Sequence, residues 1–109
     1  MNAAREAGIH TYSSFEQVLA DETVDIVLCA TPNDVHKDIV ISALLAGKNV
    51  ICEKPVALST ADFDDMVAAA EQSGKLLSVH QNRRWDVDYL AMKKIVESGE
   101  IGKAVFVNI

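Results

Sequence analysis

The chain has 109 residues, half of them hydrophobic, with 16 acidic against 10 basic side chains and a formal net charge of -6. That is apolar material for one modest core rather than two, and an acidic chain without a basic block argues against nucleic acid or an anionic membrane surface, because phosphate neutralisation needs clustered Lys and Arg. Its apolar runs fall short of the ~20 residues that span a bilayer and no apolar signal core follows a basic leader, so a cytoplasmic protein is expected.

In chain order, Met1 to Ala7 reads as the tail of a helix stopped by Gly8, and Ile9 to Tyr12 as a short strand. Ser13, with Glu16 three residues on, is the pattern that opens a helix, and Phe15, Val18 and Leu19 give it an apolar side. Val24 to Ala30 is a nearly continuous β-rich run, as in a strand covered on both faces. Thr31-Pro32-Asn33 breaks it. Asn33 is a helix-cap residue by type, and Val35, Ile39, Val40, Ala43 and Leu44 recur on one helical face before Gly47.

The unit then repeats. Val50-Ile51-Cys52 is a short strand that ends abruptly in Glu53-Lys54-Pro55. Ser59 and Asp62 make a capping box for a helix whose stripe is Phe63, Met66, Val67 and Ala70, closed by Gly74. Leu76 to Val79 is the next strand, followed by His80-Gln81-Asn82-Arg83-Arg84-Trp85. Asp86 is placed to cap a helix from Val87 to Ser98, where Tyr89, Met92 and Val96 share a face before Gly99, and Ala104 to Ile109 is strand-like again.

This alternation predicts an α/β fold with a parallel, doubly wound sheet, because parallel strands need crossovers and helical crossovers pack on the sheet faces. Ligands in such sheets bind at the carboxyl ends of the strands. Three polar breaks therefore fall on one edge: Thr31-Pro32-Asn33 with His36, Glu53-Lys54-Pro55, and His80 to Trp85. Pro55 fixes the backbone so that the turn after Lys54 does not run straight into helix.

Lysine next to a strand end can remove or return a hydroxyl proton, provided that its surroundings lower its basicity from the usual ~10.4. From spacing alone, a solvated Glu53–Lys54 pair is the alternative. Cys29 and Cys52 sit inside apolar runs and read as small hydrophobes, with a reactive thiol at Cys52 as the alternative. His10 and His80 have no acid or cysteine at metal-ligand spacing, so no metal site is expected. Arg83-Arg84-Trp85 would suit nucleic acid through stacking and phosphate contacts, but a single such cluster in an acidic chain fits an anion or cofactor better, with Trp85 against a ring or in the core.

Four segments, ATPNDVH from Ala30, AGKNVICEKP from Ala46, QNRRWD from Gln81 and SGEIGK from Ser98, resemble in order and separation the N-terminal region of the Gfo/Idh/MocA oxidoreductases. The QNRRWD segment is most similar to members acting on inositols and related polyols. The resemblance implies a Rossmann domain followed by an α/β domain with an open antiparallel sheet, NAD or NADP as cofactor, and a sugar, inositol or similar polyol as substrate.

It places Lys54 near the nicotinamide and the reacting hydroxyl; Glu53, which could also hold a ribose hydroxyl, and His36 are expected as orienting groups. It sets Thr31, Pro32, Asn33 and His36 along the cofactor together with Glu53, Lys54 and Pro55, and turns Asn82, Arg83, Arg84 and Trp85 toward the nicotinamide.

The family's first strand, its glycine-rich G-x-G-x-x-G turn and the later catalytic Asp and His have no counterpart in this sequence. The expectation is a partial Rossmann sheet lacking the first strands over residues 1–85 and the start of the second domain over residues 86–109, inactive alone and part of an oxidoreductase that forms homo-oligomers. A non-catalytic half-domain that self-associates through its sheet edge is the rival expectation.

Overall fold

The computed structural model describes residue 4 and residues 6–106. Its elements are α1 (Phe15–Ala20), β1 (Ile26–Cys29), a 3-10 turn (Asn33–Val35), α2 (His36–Leu45), β2 (Asn49–Glu53), α3 (Thr60–Ser73), β3 (Leu77–His80), a second 3-10 turn (Asn82–Trp85) and α4 (Val87–Ser98). The three strands form one sheet in the order β1-β2-β3, all parallel. Each crossover carries a helix, and the fold is α/β and Rossmann-like with a partial sheet.

Asn49 joins the amino ends of the strands. Its backbone N–H and its amide nitrogen both donate to Asp25 O, at 3.0 and 3.2 Å, while its side-chain oxygen accepts the Leu76 N–H at 3.1 Å.

The core lies between the sheet and helices α2 and α3. Val27 and Cys29 of β1 and Val50 and Cys52 of β2 point to one face, against Val40, Ala43 and Leu44 of α2 and Met66 and Ala69 of α3. A salt bridge fastens the two helices: Lys37 Nζ reaches Asp62 at 2.9 Å and Asp65 at 2.7 Å. Ser59 caps α3, its Oγ accepting the Asp62 N–H at 3.1 Å and donating to the Asp62 carboxylate at 2.7 Å. Gly74 ends that helix at φ 65°, a left-handed conformation that glycine takes without a Cβ penalty.

Several expectations are corrected here. Ile9 to Tyr12 is not a strand; Tyr12 instead donates its hydroxyl to Asp21 at 2.7 Å. The cap of α1 is Ser14 rather than Ser13, whose N–H and Oγ turn to Gln17. Asn33 begins the 3-10 turn and caps nothing through its side chain. Asp86 stands at the cap position of α4, but its carboxylate pairs with Arg83 at 2.8 Å. Residues 104–106 are not strand, and the remainder of that expected strand, like most of the helix tail expected over residues 1–7, lies outside the described residues.

Burial along β1 alternates between exposed and buried, with Ile26 57% and Leu28 61% exposed. Among the described residues, helices α2 and α3 cover one face of β1 and the other is open. No helix among the described residues is long and apolar enough to cross a membrane.

Candidate functional site at the strand ends

Parallel register brings the three polar breaks to one edge of the sheet. Cys29 of β1 faces Cys52 of β2, and Glu53 at the end of β2 faces His80 at the end of β3. The second pairing sets Glu53 Oε1 2.7 Å from His80 Nδ1. The other carboxylate oxygen accepts the Lys54 N–H at 3.3 Å. The His80 hydrogen bond, then the Lys54 N–H and the charges of the two neighbours, hold the Glu53 carboxyl below the usual carboxylate range, while partial burial opposes them.

Lys54 follows at the top of β2, exposed, and its peptide to Pro55 is cis. Among the described residues its ammonium is in no salt bridge, unlike Lys37 and Lys93. Thr31, Pro32 and Asn33 form an exposed turn after β1, and Asn82, Arg83, Arg84 and Trp85 form the exposed turn after β3. Arg83 is held by Asp86, which also raises its basicity. Trp85 is 77% exposed, so it is not a core residue.

His36 differs from its expected role. It heads α2 on the same stripe as Val40, Ala43 and Leu44 and is fully buried. Its Nε2 lies 2.9 Å from the Thr31 carbonyl and its Nδ1 3.1 Å from the Pro55 carbonyl. The ring thus bolts the turn after β1 to the turn after β2, and neither nitrogen faces the open strand ends.

Sequence spacing did not single out two groupings that the fold makes. One is the Glu53–His80 pair, which depends on strand register; its only sequence signal is that both residues end an apolar run. The other is the cluster of Cys29, Cys52 and His36, three side chains distant in sequence whose possible ligand atoms the fold brings within 4.8 Å of one another. Burial pushes the Cys52 thiol up to about 12, and the neighbouring Cys29 adds to the rise.

The chain matches the model of an oxidoreductase family with an NAD-binding Rossmann fold over residues 1–81. An uncharacterized oxidoreductase of Schizosaccharomyces pombe is 42% identical over 97 residues, covering 89% of this chain and 26% of that protein. The inositol 2-dehydrogenase of Salmonella typhimurium is 35% identical over 98 residues, covering 89% of this chain and 29% of that enzyme. Among solved structures, an NAD-binding protein from Listeria innocua superposes with a TM-score of 0.90 at 51% identity, over 94% of this chain and 30% of that one. The chain therefore spans less than a third of the length of the relatives it matches.

Proposed function

This chain belongs to the Gfo/Idh/MocA oxidoreductase family, and we propose that its strand ends form part of the nicotinamide face of an NAD(P)-dependent dehydrogenase acting on a sugar, inositol or similar polyol. The observation that carries this reading is the exposed Lys54 at the top of β2, set beside a Glu53 that His80 already holds in place. The name of the Salmonella relative supports an inositol-like substrate.

The residues present suit a dinucleotide. The Thr31-Pro32-Asn33 turn is polar, exposed and at a strand end, and the Trp85 ring is open for stacking against a flat group. Glu53, Lys54 and Pro55 lie between these two turns, with Asn82, Arg83 and Arg84 on the far side. When bound, the nicotinamide would accept or deliver the hydride. Lys54 Nζ takes the hydroxyl proton as the alcohol is oxidised and returns it in the reverse direction. Its flexible stem lets it place one charge at one oxygen. Glu53 keeps negative charge close to that ammonium. His36 acts as a positioning residue: it fixes the two turns against each other and touches neither substrate nor cofactor. Residues 86–109 are assigned to the start of the substrate domain.

In the whole protein, Lys54→Ala is expected to lower kcat by ~10²–10⁴-fold, the range for loss of a general acid or base, with little change in the Kd for NADH or NADPH. Unchanged turnover would overturn the assignment.

A second reading rests on the open edge and face of β1. Unpaired strand edges beside exposed apolar side chains such as Ile26 and Leu28 invite pairing, so a self-associating half-domain is the competing function. Light scattering on the 109-residue chain separates the two: a concentration-independent monomer removes the second reading.

A further inference from the structure

Three side chains beneath the strand ends touch neither substrate nor cofactor in the dehydrogenase reading. Cys29 and Cys52 are register partners on neighbouring strands, and His36 enters from the first turn of α2. Their ligand atoms, two Sγ and a ring nitrogen, all lie within 4.8 Å of one another, and the residues are 2%, 0% and 0% exposed. Two thiols and an imidazole are a donor set for d10 divalent cations. With bonds of ~2.3 Å to sulfur and ~2.0 Å to nitrogen, such an ion holds its donors roughly 3.5–4 Å apart, so the side chains need to close by about 1 Å.

Two further features point the same way. Both nitrogens of His36 face carbonyl oxygens, at 2.9 and 3.1 Å, yet a neutral imidazole has a single N–H to donate. One nitrogen then offers its carbonyl a lone pair rather than a proton, and that nitrogen is free to bind a cation once the carbonyl turns aside or itself becomes a ligand. The remaining N–H keeps its carbonyl acceptor, the arrangement that orients a metal-bound histidine. Charge also balances. Two thiolates cancel a divalent ion and the ring is neutral, so the assembled site carries no net charge into the apolar surroundings of Val40, Leu44 and Met66. A fourth donor is at hand in Thr31 Oγ1, 3.4 Å from Cys29 Sγ, or in the carbonyl that the ring gives up.

We propose that Cys29, Cys52 and His36 bind one thiophilic d10 divalent cation, Zn²⁺ or Cd²⁺, in a structural role that locks the Thr31 and Pro55 turns together below the nicotinamide face. The proposal does not depend on the dehydrogenase reading.

The test titrates the reduced 109-residue chain with Cd²⁺. A thiolate-to-cadmium charge-transfer band that saturates at one equivalent, an unchanged circular dichroism spectrum, and an unfolding temperature that rises with Cd²⁺ are expected. Cys29→Ala and Cys52→Ala should each abolish the band. Because a variant that fails to fold would lose it trivially, the zinc adduct of the unsubstituted chain is also measured by X-ray absorption. A shell of two sulfurs with at least one nitrogen supports the site; one sulfur or none overturns it. Absence of the band, or a band that appears only as the folded spectrum is lost, overturns it as well.

Discussion

Asp21 gathers donors from Tyr12, from Thr23 beside it and from Lys48. Its Oδ1 accepts from the Thr23 hydroxyl at 2.6 Å and the Thr23 N–H at 2.8 Å, its Oδ2 accepts from Tyr12 at 2.7 Å, and its backbone oxygen accepts from Lys48 Nζ at 2.7 Å. The side-chain donors, Thr23 first and Tyr12 second, hold the carboxyl at about 2, below the ordinary 3.8. A depressed carboxyl contributes stability that is fully present above its unfolded value and is lost as pH falls through the folded one. The stability gap between the native chain and Asp21→Asn should therefore be constant from neutral pH down to the ordinary carboxylate range, then shrink and close near pH 2. Urea unfolding at stepped pH measures it, and a gap that grows on acidification would contradict the geometry.

At His36 the sequence carried half of the answer. The residue lies four before Val40 and seven before Ala43, on the stripe that faces the sheet, so its burial could have been read from helical period alone. Its partners could not, because both are backbone carbonyls in turns that only the folded sheet brings together. His36→Ala removes a filled volume and the ring that joins the Thr31 and Pro55 turns, and is expected to cost about 2–4 kcal/mol in urea unfolding.

The two ends of α3 were legible in the sequence, since their chemistry is local. The Ser59 cap and the Gly74 stop stand where the residue types indicate, and Ser59→Ala should cost ~1 kcal/mol. Gly74→Ala should cost a similar ~1 kcal/mol. An added Cβ there would meet nothing within 4 Å, so any loss comes from the left-handed backbone alone. Chemical denaturation of both variants is the check; a Gly74→Ala chain as stable as the parent would refute the backbone argument.

Strand ends were less legible. Ile9 to Tyr12 has β-rich residue types, but β preference is a preference for neighbours, and the sheet offers it no partner among the described residues. The Glu53–His80 contact was hidden for a related reason: a register shift of one residue would have sent the two side chains to opposite faces.

At the scale of the whole molecule, the residues of β1 are written for two apolar faces, while the described structure buries one. The chain spans 26% and 29% of two longer relatives, so the open face can be tested in a protein of their length. The prediction that follows concerns Leu28→Glu. In the 109-residue chain its effect on stability should stay within about 0.5 kcal/mol, as for an exposed surface position, and it should reduce any self-association seen by light scattering. In a protein of the relatives' length, with further polypeptide on that face, the same change should be strongly destabilising. Equal effects in both would mean that nothing further packs on that face.

The side chain of Asn49 ties three strands at their amino ends, whereas the residues proposed to react stand at the opposite ends, ~13 Å away along β2 at the usual rise per residue. Alignment of the sheet and chemistry at its rim are thereby entrusted to different residues. Substitutions at the rim can change what it meets while the frame beneath stays in step, and this division of labour leaves the rim free to vary.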